Sequence, residues 1–179
     1  EASSFQLAMS PTFRPQIGCF LTFTPDHIDW HEGLDNYFEA KISLFKDYKQ
    51  PMYAVFSGVD EKIYDFAKKY TGEKFIYAKE LDKNCCYIKN DTICFKRNKE
   101  EEIIKLNEIS LVGEHNYQNI MCAVVVAKLI GISNEHIKKR IMSFKAVEHR
   151  IEYVADINGK SFYNDSKATN PEASFVAIK

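Results

Sequence analysis

Three short apolar runs limit what this chain can fold into: residues 17–23, 52–57 and 75–77. Each has strand length, and none alternates with polar residues. A strand that is apolar at every position is buried on both faces, which points to a parallel sheet covered by helices. Parallel neighbours need long crossovers, usually helical, and the segments between the runs supply them. Residues 33–48 place Leu34, Tyr37, Phe38, Phe45 and Tyr48 on one helical stripe, and residues 59–70 read as an amphipathic helix. Residues 3–9 form a shorter helix, stopped near Pro11.

Beyond residue 77 the pattern changes. Residues 85–89 and 92–96 flank Asn90-Asp91, a pair suited to a two-residue hairpin turn. The charge run at 99–102 reads as an exposed segment. An apolar helix over 120–130 stops at Gly131, and Ser133 caps a helix over 135–144. The expected class is therefore α/β: a mainly parallel sheet flanked by helices, with a small antiparallel extension. A second unit starts near Val147, so the organisation expected is 1–146 and 147–179. In that second unit, residues 151–157 and 160–163 pair across Asn158-Gly159. A polar loop then leads into a helix capped by Asn170, with Pro171 in its first position.

Charge excludes several functions. With 24 Lys+Arg against 25 Asp+Glu, the net charge of −1 gives no field that favours nucleic acid or an anionic membrane. The longest apolar run, residues 120–126, is too short for a bilayer, and no signal peptide is visible, so no membrane insertion is expected. The cysteines at 19, 85, 86, 94 and 122 are odd in number and lack CxxC spacing. That argues against a disulfide framework or a zinc site and for the cytoplasm. The chain opens without an initiator methionine and is expected to be a piece of a longer protein.

Four polar clusters carry possible chemistry. Asp26, His27, Asp29 and His31 follow the first apolar run and offer imidazole and carboxylate ligands, or simply a solvated loop. Lys41 falls within the helical stripe of Tyr37 and Phe45. A lysine there ordinarily snorkels. If it cannot, burial lowers its pKa and leaves a neutral amine, able to take up CO₂ as a carbamate and so become an anionic oxygen ligand. Asn116 and Asn119 point the same way from the start of a helix; a carboxamide there matches the adenine edge or caps the helix. The stretch Asp165-Ser166-Lys167-Ala168-Thr169 joins a carboxylate, an ammonium and two hydroxyls in a strand-to-helix loop, where open α/β sheets bind ligands.

In order along the chain, Glu1-Ala2-Ser3-Ser4-Phe5-Gln6-Leu7, Thr24-Pro25-Asp26-His27-Ile28-Asp29, Ala40-Lys41, Gly113-Glu114-His115-Asn116-Tyr117-Gln118-Asn119, His149-Arg150 and Asn164-Asp165-Ser166-Lys167-Ala168-Thr169-Asn170 resemble the motifs of the Mur ligases. The last motif is similar to that of the branch that adds D-glutamate to UDP-N-acetylmuramoyl-L-alanine. The resemblance departs at Thr22-Phe23, where the family often has Asn before its Thr-Pro-Asp-His. It departs again at Ser57-Gly58-Val59-Asp60, where Asn-x-Asp-Asp is common.

The resemblance implies the later part of a central ATPase domain and the start of a C-terminal Rossmann-like domain. The phosphate-binding Gly-Lys-Thr loop is expected upstream of Glu1, so the piece alone is expected to be inactive. It implies ATP and Mg²⁺ as cofactors, UDP-N-acetylmuramoyl-L-alanine and D-glutamate as substrates, and a monomeric full-length enzyme. Glu1 and His27 would ligate Mg²⁺, with Lys41 as the carbamylated bridge. Ser3 and Ser4 would lie beside the acyl-acceptor site. Asn116 and Asn119 would contact adenine, Arg150 and Asp165 the phosphates and ribose, and Lys167 and Thr169 the incoming D-glutamate. Two other readings stay open at this stage: a folylpolyglutamate synthetase-like ligase, and a non-catalytic nucleotide-binding or scaffold module.

Overall fold

The computed structural model describes residues 1–46, 51–111, 113–145, 147–169, 174, 175 and 178. The chain divides into two compact units, Glu1–Met142 and Ser143–Lys179.

The first unit is built on a six-stranded sheet whose strands lie in sequence order. β1 (Ile17–Phe20), β2 (Tyr53–Ser57), β3 (Lys74–Tyr77) and β4 (Cys85–Lys89) are parallel; β5 (Thr92–Lys96) and β6 (Glu100–Lys105) add antiparallel strands. Alternate residues of the apolar runs go to opposite faces, as the period of two requires. Val55, Phe75 and Tyr77 pack with Ile120, Met121, Val124 and Val125 of one helix. Ala54, Phe56 and Ile76 pack on the other face with Phe38, Ile42, Ile63 and Ala67. Both faces are thus covered, and the unbroken apolar runs have their explanation.

Four helices precede or connect the parallel strands and two follow the sheet. α1 is Ser4–Met9, α2 Ile28–His31, α3 Leu34–Ile42 and α4 Glu61–Lys69; after β6 come α5 (Glu114–Leu129) and α6 (Asn134–Ser143). The expected helix over 33–48 is a helix to Ile42 followed by a 3-10 turn over Ser43–Phe45; the end of that expectation lies outside the described residues. α5 begins earlier than its apolar run and ends as expected. Gly131 (φ 84) donates its N–H to Lys128 O, and Ile132 donates to Ala127 O at 2.9 Å, closing the helix.

The charge run at 99–102 is exposed as expected at Lys99, Glu100 and Glu102, with Glu101 half-buried, but it also begins a strand that the sequence pattern does not mark: Glu100 and Glu101 open β6. Glu100 accepts from the Tyr87 hydroxyl and from Lys89, and Glu101 accepts from Lys128 Nζ at 2.9 Å and Asn134 Nδ2 at 3.0 Å. The run carries no strand pattern because the strand's buried apolar residues, Ile103 and Ile104, come only at its end.

The carboxyl ends of β1 and β2 are tied together. Asp60 caps α4 by accepting the Ile63 N–H at 3.1 Å, and its other oxygen accepts the Phe23 N–H at 2.8 Å. Tyr77 donates to Leu21 O at 2.7 Å. Behind Asp60, the chain passes so close to β3 that a Cβ on Gly58 would lie 2.9 Å from Tyr77 O. The backbone leaving β1 is therefore held at two points before it reaches Asp26 and His27.

The second unit is described by itself. β7 (Glu152–Ile157) and β8 (Lys160–Asn164) form the expected hairpin, with Asn158 (φ 52) and Gly159 (φ 75) in the left-handed region its turn requires. The expected Asn170 cap and the helix start at Pro171 lie outside the described residues.

Removing the double anchor gives a test of this arrangement. Asp60→Ala is expected to cost about 1–3 kcal/mol, through a lost cap and an orphaned Phe23 N–H. Urea unfolding of the wild type and variant measures it.

Candidate active site

The site residues of the first unit rise from three short helices. α1 carries Glu1 and Ser3 at its start. Ser3 forms a capping box with Gln6: its Oγ accepts the Gln6 N–H at 3.2 Å, and Gln6 Oε1 accepts the Ser3 N–H at 2.8 Å. Ser4, expected among the substrate contacts, is turned inward and only 2% exposed, with its Oγ 2.9 Å from His31 Nε2.

α2 follows His27, whose backbone is left-handed (φ 51). Asp26 Oδ1 accepts the His27 N–H at 2.9 Å and lies 3.5 Å from its Nδ1, so the carboxylate orients the ring. α3 brings Lys41 in its last turn. Lys41 is half-buried, with Nζ 5.0 Å from the centre of the Tyr37 ring.

Burial lowers the Lys41 pKa from its ordinary 10.5, and the carboxylates of Asp26 and Glu1 pull only partly the other way. Burial, with Asp26 second, also raises the Tyr37 phenol. The carboxylates of Asp26 and Glu1 therefore reach Lys41 electrostatically, although the three come from separate stretches of chain. Among the described residues, no three His, Cys, Asp or Glu side chains are grouped to hold a metal ion.

Asn116 and Asn119 lie on the first turns of α5, Asn116 half-buried and Asn119 exposed. A cleft of about 180 Å³ opens beside that helix, walled by Val59, Lys79, Glu80, Tyr87, Tyr117 and Gln118 among others. Neither asparagine is part of its lining.

Within the second unit, two motifs distant in sequence meet. Asp165 Oδ1 accepts the Ile151 N–H at 3.1 Å, and Lys167 donates its N–H to His149 O at 3.1 Å. Asn164 Nδ2 lies 2.8 Å from His149 Nδ1 and donates to Glu152. The loop over 164–169 is thus folded onto the turn that holds Arg150. His149 (φ 66) and Ile151 (φ 47) both have left-handed backbone, rare for a β-branched residue and a strain typical of functional turns. Arg150, Lys167 and Thr169 are exposed and Asp165 is half-buried.

A family model described as the Mur ligase middle domain matches residues 1–127. The chain belongs to the Mur ligase family. Among curated proteins, it is 42% identical over 181 aligned residues to the UDP-N-acetylmuramoylalanine--D-glutamate ligase of Thermoanaerobacter sp. (strain X514), covering 100% of this chain and 40% of that protein. The ligase of the same name from Caldanaerobacter subterraneus is 39% identical, with 100% and 39% covered. The chain spans about 40% of the length of these relatives.

Among solved structures, MurF from Acinetobacter baumannii aligns with a TM-score of 0.72 at 16% identity, over 97% of this chain and 38% of that one. MurF from Thermotoga maritima, solved in complex with ADP, aligns at 0.67 and 14% identity, over 98% and 41%. At those identities the likeness concerns the fold, which is that of Mur ligase central domains.

Sequence reading of this Mur ligase chain missed some members of the site. Asp60 carries a readable signal, since Asp three residues before an apolar helical position is an N-cap. Its second bond, to a backbone N–H 37 positions away in sequence, leaves none. Tyr37 was read only as stripe, and Asp26 only as one of several possible ligands.

The lowered Lys41 pKa has a thermodynamic consequence. Between the folded value and the unfolded 10.5, the unfolded chain binds more protons at Lys41, so stability gains with rising pH there. The burial penalty is complete below the folded value and vanishes above 10.5. Lys41→Met is therefore expected to be the more stable protein at neutral pH, with its advantage shrinking as pH approaches 10.5. Paired denaturant titrations across pH check the sign.

Proposed function

We propose that the protein carrying this chain is an ATP-dependent amide ligase that joins D-glutamate to UDP-N-acetylmuramoyl-L-alanine in peptidoglycan precursor synthesis. The observation that carries the reading is Lys41: a half-buried amine beside the Tyr37 ring, made easier to deprotonate by burial and within the electrostatic reach of the Asp26 and Glu1 carboxylates. The names of the curated relatives support the same substrates, and the motif at residues 164–170 supports the D-glutamate branch. The free cysteines fit a reducing compartment, the cytoplasm. No helix among the described residues is long and apolar enough to cross a membrane.

Mg²⁺ takes oxygen ligands and keeps several waters, so a few carboxylates and substrate phosphates suffice. Glu1 supplies such an oxygen and His27 an imidazole, but Lys41 as an ammonium supplies nothing. The set fits a metal once the Lys41 amine has taken up CO₂, because the carbamate presents an anionic oxygen. When bound, the ion would neutralise charge on the nucleotide and the substrate carboxylate.

In the reaction we infer, the muramoyl-alanine carboxylate attacks the γ-phosphorus of ATP, giving an acyl phosphate and ADP. The D-glutamate amine then attacks the acyl carbon, and phosphate leaves from the tetrahedral intermediate. Several anions must be crowded together, so positioning and charge stabilisation dominate. Ser3 would lie beside the acyl substrate and Asn116 and Asn119 at adenine. Arg150 and Asp165 would serve the phosphates and ribose, and Lys167 and Thr169 the D-glutamate. We assign residues 1–146 to the central ATP-binding domain and 147–179 to the start of the C-terminal one.

The direct test is the intact protein with ATP, Mg²⁺, UDP-N-acetylmuramoyl-L-alanine and D-glutamate. ADP release that needs both other substrates is expected; its absence would refute the reading. Lys41→Ala should nearly abolish turnover while leaving the fold intact. Lys41→Arg should fail too, since a guanidinium stays charged. Formate or acetate should return some activity to Lys41→Ala by placing an oxygen where the carbamate sat. Asn119→Ala should weaken ATP binding by about 1–3 kcal/mol and appear mainly in the KM for ATP. An unchanged ATP/GTP preference would remove Asn119 from the adenine site.

A further inference from the structure

The three helices that carry Glu1, His27 and Lys41 are too short to hold a geometry alone. α1 runs Ser4–Met9, α2 Ile28–His31 and α3 Leu34–Ile42. All three meet at one side chain. His31, 6% exposed, ends α2; its Nε2 lies 2.9 Å from Ser4 Oγ in α1. Its ring stacks on Phe5 of α1 at 5.5 Å between centroids, and packs on Tyr37 of α3 at 5.2 Å and on Trp30 at 4.5 Å. Its carbonyl accepts from Asn36 Nδ2 at 2.9 Å, which ties the α2–α3 junction as well. Phe5 also packs on His27, with centroids 4.9 Å apart.

We propose that the buried Ser4–His31 pair is the positioning element that sets the spacing of Glu1, His27 and Lys41. This rests on the ligase reading for what the three groups do, though not for their coupling. Neither Ser4 nor His31 touches substrate in this assignment. Ring packing alone lets α1 slide or rotate, because apolar contacts are not directional. A hydrogen bond between two buried groups is directional, and breaking it strands a polar atom, so it fixes one register of α1 on α2. Ser4 adjoins Ser3 and is three residues from Glu1, and His31 is four from His27, so a shift in that register moves the candidate ligands directly. Outer-shell partners of this kind typically change metal affinity or activity by about 10- to 100-fold.

The test uses the intact protein with Ser4→Ala, His31→Phe and the double variant. His31→Phe keeps a ring between Phe5 and Tyr37 and deletes only the hydrogen bond. Each single variant is expected to lower kcat by about 10- to 100-fold, to raise the Mg²⁺ needed for half-maximal rate, and to leave the KM for ATP unchanged. In the unliganded protein, amide hydrogen exchange at residues 1–3 and 27–28 should quicken. The double variant strands no buried polar atom, so its melting temperature should return toward wild type, while kcat stays as low as in the singles. If kcat recovers together with the melting temperature, or if folded single variants keep wild-type kcat and exchange, the positioning role is wrong. If the wild type forms no amide product yet exchange at residues 1–3 and 27–28 still responds to His31→Phe, the ligase reading has failed and the coupling stands.

Discussion

Burial of β2 and β3 on both faces is the constraint from which the rest of the first unit follows. Val55, Phe75 and Tyr77 belong to one apolar layer, and Ala54, Phe56 and Ile76 to the other. A sheet with two greasy faces requires helices on each, and parallel strands supply them through their crossovers. Once α3 and α4 return the chain to the same end of the sheet, the loops at the carboxyl ends of β1 and β2 emerge side by side. Asp60 then joins them, and the polar groups around His27 inherit a rigid base from the apolar core.

Much of this was legible in the sequence, and the reason is local. Strand runs, the Asn90-Asp91 and Asn158-Gly159 turns, and the glycine that ends α5 each depend on a few neighbouring residues. Lys41 was legible too, because its helical spacing put it beside Tyr37 and Phe45 before any packing was known. What escaped depends on partners far along the chain. The acids of β6 look like no more than an exposed charge run until Lys128, Asn134 and Tyr87 are brought to them. Ser4 reads as one more hydroxyl in a polar stretch until His31 closes over it.

The two units carry different kinds of candidate residues. In the first, short helices pack through aromatic rings and leave a lysine in a half-buried place that disfavours its charge. In the second, a hairpin and a bent turn present Arg150 and Lys167 to solvent, with Asp165 held by a backbone N–H from Ile151. In the first, burial shifts the protonation of Lys41 and Tyr37; in the second, Arg150 and Lys167 are exposed charges.

The acids of β6 also matter for how the molecule behaves in company. An uncovered outer strand presents unpaired backbone donors and acceptors, and a second copy can extend the sheet by laying its own strand there. On β6, Glu100 and Glu102 are exposed at the side where such a strand would arrive. An identical chain laid alongside in parallel and in register would bring its own carboxylates against these. The residues that hide this strand in the sequence thus make in-register parallel extension by a second copy electrostatically unfavourable.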